Sequence, residues 1–488
     1  MRIITSILFI VLFMPSKVWA EVLPKEGSIL NYRIIGFSLS PAEKTKEYRL
    51  EIADGNYSLE SAFKDNIIKT INCNEEKVIA EVPAFGKQYT WRTICVKNNS
   101  IKMGPLHHFS TGSVPWVDTA VSRVRVLKKG PKYMDSYVFS DATTALYDMN
   151  GNAVWYLPYQ ESYVRDLKLS PQGTITLLLN NHPIEINYSG DTLWRPIEDD
   201  DTKQGSKKNE FHHSFCRLTN GNYMTLGTET MVWPAPADSA GTAERKIDFG
   251  TVVELDSTGR EIWSWNSSKY YKTTDFFSHS QASVNVHENA FYFDEKLGVI
   301  YLSFKNTNTI LKIKYPEGIV LDAFGATDYA SMQDPDKNLF CSQHSCSSPT
   351  PGYFYIFNNN ICHPESSSKV MLMKESGKNR AVNVWDYECT RDNDAGKTQK
   401  KGMYDKGGNV IELPDSCLFV SVPFGKVFIV GRSKEVLWSA DFEKRKPSQP
   451  NWEEVVLYRS SIITRKDLER LIWIPTDGSK NVVGKRVK

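Results

Sequence analysis

Tyr147-DMNGNAV-Trp155 is the stretch on which the reading of this chain turns. It runs from an apolar residue through a short polar segment with Gly to an apolar pair and then Trp. The same order returns in Asn187-YSGDTL-Trp194, Leu255-DSTGREI-Trp263 and Gly431-RSKEVL-Trp438. Lys314-YPEGIV-Leu321 carries Leu in place of Trp, and a degenerate copy ends at Val384-Trp385. Each copy reads as a hairpin, with Gly where the turn needs positive φ and the apolar residues opening the next strand. A second hairpin cue precedes several copies, as Leu169-SPQG-Thr174, Leu218-TNG-Asn222 and Leu413-PDS-Cys417. Two hairpins make four strands, and four-stranded units repeated radially make a β-propeller. Six copies predict six blades over residues 113–488. Their spacing, 39 to 69 residues, means that long loops are inserted.

Ahead of the repeat, residues 21–112 alternate as in Tyr48-RLE-Ile52, Val78-IAE-Val82 and Tyr89-TWRTIC-Val96, with turn-rich segments between. Short strands at this spacing predict an antiparallel β-sandwich. The last of these strands, followed by GPLHHFSTG, resembles the closing strands of a fibronectin type III-like module. The expected fold is therefore all-β, a six-bladed propeller preceded by a small immunoglobulin/fibronectin III-like sandwich. His107 and His108 read as surface residues of that sandwich. One short helix is expected near Arg465–Leu471.

Composition agrees with a large β core. Of 488 residues 41% are hydrophobic, and 12 Trp, 23 Tyr and 23 Phe suit pleated sheets. Residues 1–20 join a basic Arg2, an apolar run Ile3–Phe13 and a small residue, Ala20. They read as a secretory leader cleaved after Ala20, too short in its apolar run to span a membrane stably. A periplasmic or secreted location follows. The chain carries 59 basic and 57 acidic residues, so no broad basic surface for nucleic acid is expected. An even eight cysteines in an exported chain predict disulfides, with Cys73–Cys95 and Cys341–Cys346 as the local pairings. The second would close a tight loop around His344. No phosphate loop, dinucleotide fingerprint, HExxH or GxSxG motif occurs, and no cofactor is expected.

The histidines fall at matching places in successive repeats. His212-His213 precede one hairpin, His287 and Asn289 the next, and His344 a third. Equivalent positions on successive blades converge on the ring axis, so His213, His287 and His344 are expected to meet. Convergent imidazoles admit a metal site, a nucleophile with charge stabilisers, or unrelated structural roles.

The block Gly250-TVVELDSTGREIWSW, then Val286-HENAFYFDEKLGVIYLSFKNTNTILKI, then Gln343-His344, resembles the PAPS-independent arylsulfate sulfotransferases. That resemblance covers most of residues 113–488. It implies a ping-pong reaction in which a His takes the sulfuryl group from an aryl sulfate and passes it to a phenol. His344 matches the nucleophile, His287 and Asn289 the family's His-x-Asn, and His213 an earlier channel His, with His212 the less favoured choice. Lys305 falls where the family usually has Arg, and Ser214 where an acidic residue is common. No metal is implied.

The chemistry is coherent on its own terms. A neutral imidazole is a nucleophile near neutral pH. The sulfuryl oxygens and the departing phenolate need fixed donors or cations, a task for His213, His287, Asn289 and Lys305. A protonated His suits the departure of a phenol of pKa about 10. Phe291, Tyr292 and Tyr353 are candidates to stack on the substrate ring. The alternatives are a non-catalytic secreted propeller that binds a sulfated or aromatic ligand, and a metalloprotein built on the His cluster. For the small domain two roles stand side by side: dimerisation, giving a homodimer, or cover for a blade edge.

Overall fold

A computed structural model describes residues 22–39, 47–97, 100–159, 162–197, 210–234, 244–272, 283–325, 339–363, 366–390 and 406–474. The leader read over residues 1–20 lies outside them. The chain divides into two compact units, Met1–Gly112 and Ser113–Lys488.

In the first unit a six-stranded sheet and a two-stranded sheet share one core. The larger sheet runs Ser28–Leu30, His107–Thr111, Gln88–Lys97, Glu47–Asp54 and Ile67–Cys73, with Ser100–Met103 also on Gln88–Lys97. The smaller pairs Ile34–Ser38 with Lys77–Glu81. Phe37 of the small sheet meets Trp91 of the large one edge-on at 5.1 Å. His107 and His108 are half-buried and face Glu26. The expected Cys73–Cys95 bridge is not formed. Each cysteine lies opposite Tyr48, Cys73 on one side and Cys95 on the other. Two strand spacings, about 9–10 Å, separate them, beyond the roughly 7 Å that a disulfide spans.

Among the described residues the second unit holds six four-stranded antiparallel meanders. Blade II is Val164–Leu169, Ile175–Leu179, His182–Ile186 and Thr192–Trp194; blade III is Glu210–Arg217, Tyr223–Pro234, Glu244–Leu255 and Glu261–Asn266. Blade IV is Glu288–Asp294, Val299–Phe304, Thr309–Lys314 and Ile319–Gly325; blade V is His344–Thr350, Tyr353–Asn358, Ser368–Gly377 and Arg380–Cys389. Blade VI is Asn409–Glu412, Leu418–Val422, Lys426–Val430 and Val436–Lys444.

Blade I is built from both ends of the unit. Ser136–Ser140, Ala145–Asp148 and Ala153–Tyr156 take their innermost strand, Ser460–Thr464, from the C-terminal segment. Ser122–Lys128 in turn adds to the outer strand of blade VI. The innermost strands neighbour one another from blade I to blade VI, and blade VI returns to Ser460–Thr464. This is a six-bladed β-propeller.

The quoted repeat joins the third and fourth strands of each blade. Gly151 and Gly259 take φ near +87 and +86 there. In the last copy Lys434, not Gly431, holds the left-handed position, at φ +69. The Trp of the repeat fastens one blade to the next. Trp155 Nε1 donates to Tyr188 O at 2.7 Å, Trp263 Nε1 to Pro316 O at 2.8 Å and Trp385 Nε1 to Arg432 O at 2.9 Å. Trp438 of the last copy donates to Met149 O of the first at 3.0 Å. The expected helix is Arg465–Ile472, capped by Thr464 and Asp467 and burying Leu468 and Leu471.

Candidate active site

The residues at the start of the innermost strands converge. His212 and His213 lie in Glu210–Arg217, His287 directly precedes Glu288–Asp294, His344 opens its strand, and Arg459 directly precedes Ser460–Thr464. Sheet pairing slips in several of these strands, between Arg165 and Lys168, His212 and Phe215, Glu288 and Ala290, and His344 and Cys346. Asp166, His213, His287 and Ser345 take φ of +54 to +60 there. A bulge frees a residue from the ladder and re-aims its side chain, and positive φ on a non-glycine is a strain that folds retain at functional sites.

Three imidazoles from three blades are brought together. The His213 and His287 rings lie 5.1 Å apart. His213 and His344 flank the Tyr458 ring at 5.8 and 6.0 Å.

The orientation of His344 is fixed by acceptors. Its Nδ1 lies 2.8 Å from Asn359 Oδ1 and 3.1 Å from Ser342 O. Neither oxygen can donate, so Nδ1 carries the proton and Nε2 keeps the lone pair. Asn359 is held in turn, its Nδ2 donating to Gly407 O. Asn289, fully buried, donates from Nδ2 to Gln343 O at 2.7 Å, which ties blade IV to the residue before His344. Gln343 Nε2 donates to Ser303 Oγ and Phe304 O.

Arg459 is the hub. Its Nη1 donates to Asp166 Oδ1, His213 O and Ser214 Oγ at 2.7–2.9 Å, and Nη2 to Asn289 O at 2.7 Å. Its backbone N–H meets both oxygens of Asp141. One guanidinium thus sets the carbonyls of His213 and Asn289 from two other blades. Asp166 is the carboxylate that shares Arg459 Nη1 with Ser214. Burial opposes the ionisation of Asp166, but Lys168 and Arg459 outweigh it and hold the carboxyl below its ordinary range.

Cations crowd the imidazoles. Arg165 stacks on Tyr458 at 3.6 Å and faces Tyr163 at 4.7 Å. Arg165 Nη1 and Tyr458 Oη are buried with no hydrogen-bond partner among the described residues. Burial, then Lys305, drives His287 down to about 4. Burial first, then Lys305 and Arg459, drives His344 to about 3 against the opposing bond to Asn359. Burial and neighbouring His212 hold His213 well below the ordinary value. All three rings are therefore neutral near pH 7. The Lys305 backbone N–H donates to His287 O, which keeps the end of the neighbouring strand against the His287 turn.

The disulfide differs from the expected pairing. Cys341 is bonded to Cys362, and Cys346 is free. Cys346 points into the core between blades IV and V with Tyr301 and Phe354, away from Cys341. The bridge nonetheless frames His344, because it joins the segment before His344 to the segment after Asn359. Phe291 and Tyr292 pack into the cores between blades and Tyr353 lies opposite Thr350; the aromatic ring beside the imidazoles is Tyr458.

Sequence reasoning missed Arg459, Tyr458, Asn359, Glu288 and the Arg165-Asp166 pair. The last pair had a signal, since it precedes Leu169-SPQG-Thr174 just as His212-His213 precede Leu218-TNG-Asn222. No set of three or more His, Cys, Asp or Glu side chains among the described residues is disposed to hold a metal ion.

A six-bladed propeller thus gathers neutral imidazoles, buried cations and a tautomer-locked His at the starts of its innermost strands. The sequence model of the arylsulfotransferase (ASST) family matches residues 124–388, more than half of the chain, and the chain belongs to that family. Membership means arylsulfotransferase chemistry in general and small-molecule substrates. Among solved structures, a Bacteroides caccae protein of unknown function is 13% identical, with a TM-score of 0.39 over 70% of this chain and 99% of that one. BamB from Moraxella catarrhalis is 9% identical, with a TM-score of 0.27 over 87% of this chain and 93% of that one. No curated protein matches the chain. Among the described residues no helix is long and apolar enough to cross a membrane.

Proposed function

We propose that this chain moves a sulfuryl group from an aryl sulfate to a phenol through a sulfohistidine on His344, without PAPS. The observation that carries the reading is the pair of acceptors on His344 Nδ1, which leaves Nε2 as the nucleophilic atom. In the first half-reaction the Nε2 lone pair attacks sulfur. The bond from sulfur to the aryl oxygen breaks, and its electron pair leaves with that oxygen. The phenol departs after taking a proton. In the second half-reaction an acceptor phenol gives up its proton, attacks the sulfur on Nε2 and restores His344.

Lys305 is the cation whose charge acts most on both His287 and His344, and it serves the sulfuryl oxygens, with His287 as a further donor. Asn289 holds the nucleophile's backbone through Gln343. The leader at residues 1–20 and the Cys341–Cys362 bridge support a periplasmic or secreted site of action.

The test is incubation with a chromogenic aryl sulfate and a phenol, followed by mass analysis of the peptide that holds His344. A gain of one sulfuryl group before acceptor is added, lost in His344→Asn, is the expected result. Ligand binding with neither turnover nor modification would point to the non-catalytic reading.

A further inference from the structure

Behind His213 stands a hydrogen-bonded chain that the transfer above does not use. His212 and His213 are sequence neighbours whose rings meet edge-on, with Nδ1 to Nδ1 2.6 Å apart. Two nitrogens this close share one proton. His212 Nε2 lies 2.7 Å from Glu288 Oε1 and 2.6 Å from Thr228 Oγ1, and the Thr228 hydroxyl donates to the same carboxylate oxygen at 3.2 Å. Glu288 is 1% exposed. It has room because residue 250 is Gly, where a Cβ would collide with Glu288 Oε2. A buried carboxylate, a bridging imidazole and a terminal imidazole beside His287 thus form one line.

We propose that Glu288 and His212 are positioning residues of a proton relay that ends on His213, which acts as the acid for the departing phenolate and the base for the incoming phenol. The inference rests on the sulfuryl-transfer reading of the site. The protons balance over the two half-reactions. Before donor cleavage His212 carries protons on both nitrogens and sits against the Glu288 carboxylate, and His213 carries its proton on Nε2. As the bond from sulfur to oxygen breaks, Nε2–H passes to the phenolate, and the His212 Nδ1 proton moves to His213 Nδ1. His212 is then neutral. The acceptor phenol reverses each move and returns the proton to His212.

Positive charge therefore rests beside Glu288 and not on His213. The groups facing His213 agree with this. Burial first, and then His212, His287, Arg165 and Arg459, disfavour a charge on His213, and Tyr458 is the other ring against it.

Donors of different leaving-group acidity test the relay in single turnovers of the whole protein. With phenyl sulfate, Glu288→Gln is expected to slow transfer to His344 by about 10²-fold, at unchanged KM, because an acid is needed for a phenol of pKa about 10. With 4-nitrophenyl sulfate, whose phenol leaves unaided far more readily, the loss is expected to stay below about fivefold. His212→Asn should show the same contrast. Equal losses with both donors would overturn the relay while leaving sulfuryl transfer intact. A wild-type chain silent with both donors removes the transfer itself. Should neither variant fold, 15N-histidine spectra of the wild-type protein decide. A coupling between the two Nδ1 atoms across the shared proton is expected, and its absence overturns the chain.

Discussion

Asn359 Oδ1 accepts the Nδ1 proton of His344 at 2.8 Å, the shorter of the two bonds that keep the proton on Nδ1 and leave Nε2 with the lone pair. Asn359→Ala leaves only the longer bond to Ser342 O, so the ring and its Nδ1–H tautomer are held less firmly. We expect kcat to fall by about 10²-fold with KM within about twofold, since a mis-set ring binds substrate but does not react. Steady-state kinetics with one aryl sulfate measure this. Wild-type kcat in the variant would count against His344 Nε2 as the nucleophile.

Lys305 offers a point charge where a guanidinium would offer a planar fork. Lys305→Gln should lower kcat/KM by about 10²- to 10³-fold, the usual effect of removing one stabiliser of developing negative charge. Lys305→Arg should keep most of the activity. If the Gln variant performs as well as the Arg variant, charge at this position does not serve the reaction.

Arg459 joins Asp141 of blade I, Asp166 of blade II, His213 and Ser214 of blade III and Asn289 of blade IV. Arg459→Met strands Asp166, whose remaining ion pair is with Lys168. Breaking a buried pair from one side costs about 3–5 kcal/mol, whereas replacing both charges is often near neutral. Urea unfolding should therefore show a large loss in Arg459→Met and partial recovery on adding Asp166→Leu. Activity should not recover, because the carbonyls of His213 and Asn289 lose their common donor in both.

The Cys341–Cys362 bridge closes a loop of 21 residues that contains His344 and Asn359. Loop-closure arguments put its contribution at about 3 kcal/mol. In the paired change Cys341→Ser with Cys362→Ser we expect a lower Tm, together with a fall in kcat measured well below that Tm. Full activity at low temperature would mean that the strands alone hold the nucleophile.

Buried neutral imidazoles make stability depend on pH. His287 and His344 have folded values of about 4 and 3 against about 6.5 unfolded. Between those limits the unfolded chain binds more protons than the folded one. The contribution is thus whole above pH 6.5 and is lost as pH falls through 4 and then 3. For His287 alone it amounts to about 3 kcal/mol. The urea midpoint should fall from pH 6.5 to 4.5, and His287→Asn should flatten that slope. An unchanged slope would show that His287 is already charged when folded.

The sequence alone was enough for the blade count, because each blade repeats a local demand. A tight turn needs a residue at positive φ, and an outer strand needs a large ring to cover the next turn; both are written within about ten residues. It also marked His213, His287 and His344, which share one local place ahead of a hairpin. Arg459 and Tyr458 had no such mark. They belong to blade I only because the C-terminal strand crosses to Ser136–Ser140, more than 300 residues upstream. The cysteine pairing was misread for a related reason. Nearness in sequence said nothing of Tyr48 standing between Cys73 and Cys95, or of the inward turn of Cys346.

Local turn chemistry and strand patterning thus determined the architecture and which histidines meet. Tertiary structure alone decided which atoms face one another: that Asn359 meets His344 within one blade, and that Asp166 balances Arg459 and Glu288 backs His212 between blades. Hydrogen bonds and charges act over a few ångströms of space, and only the closed ring makes residues hundreds of positions apart neighbours at that range.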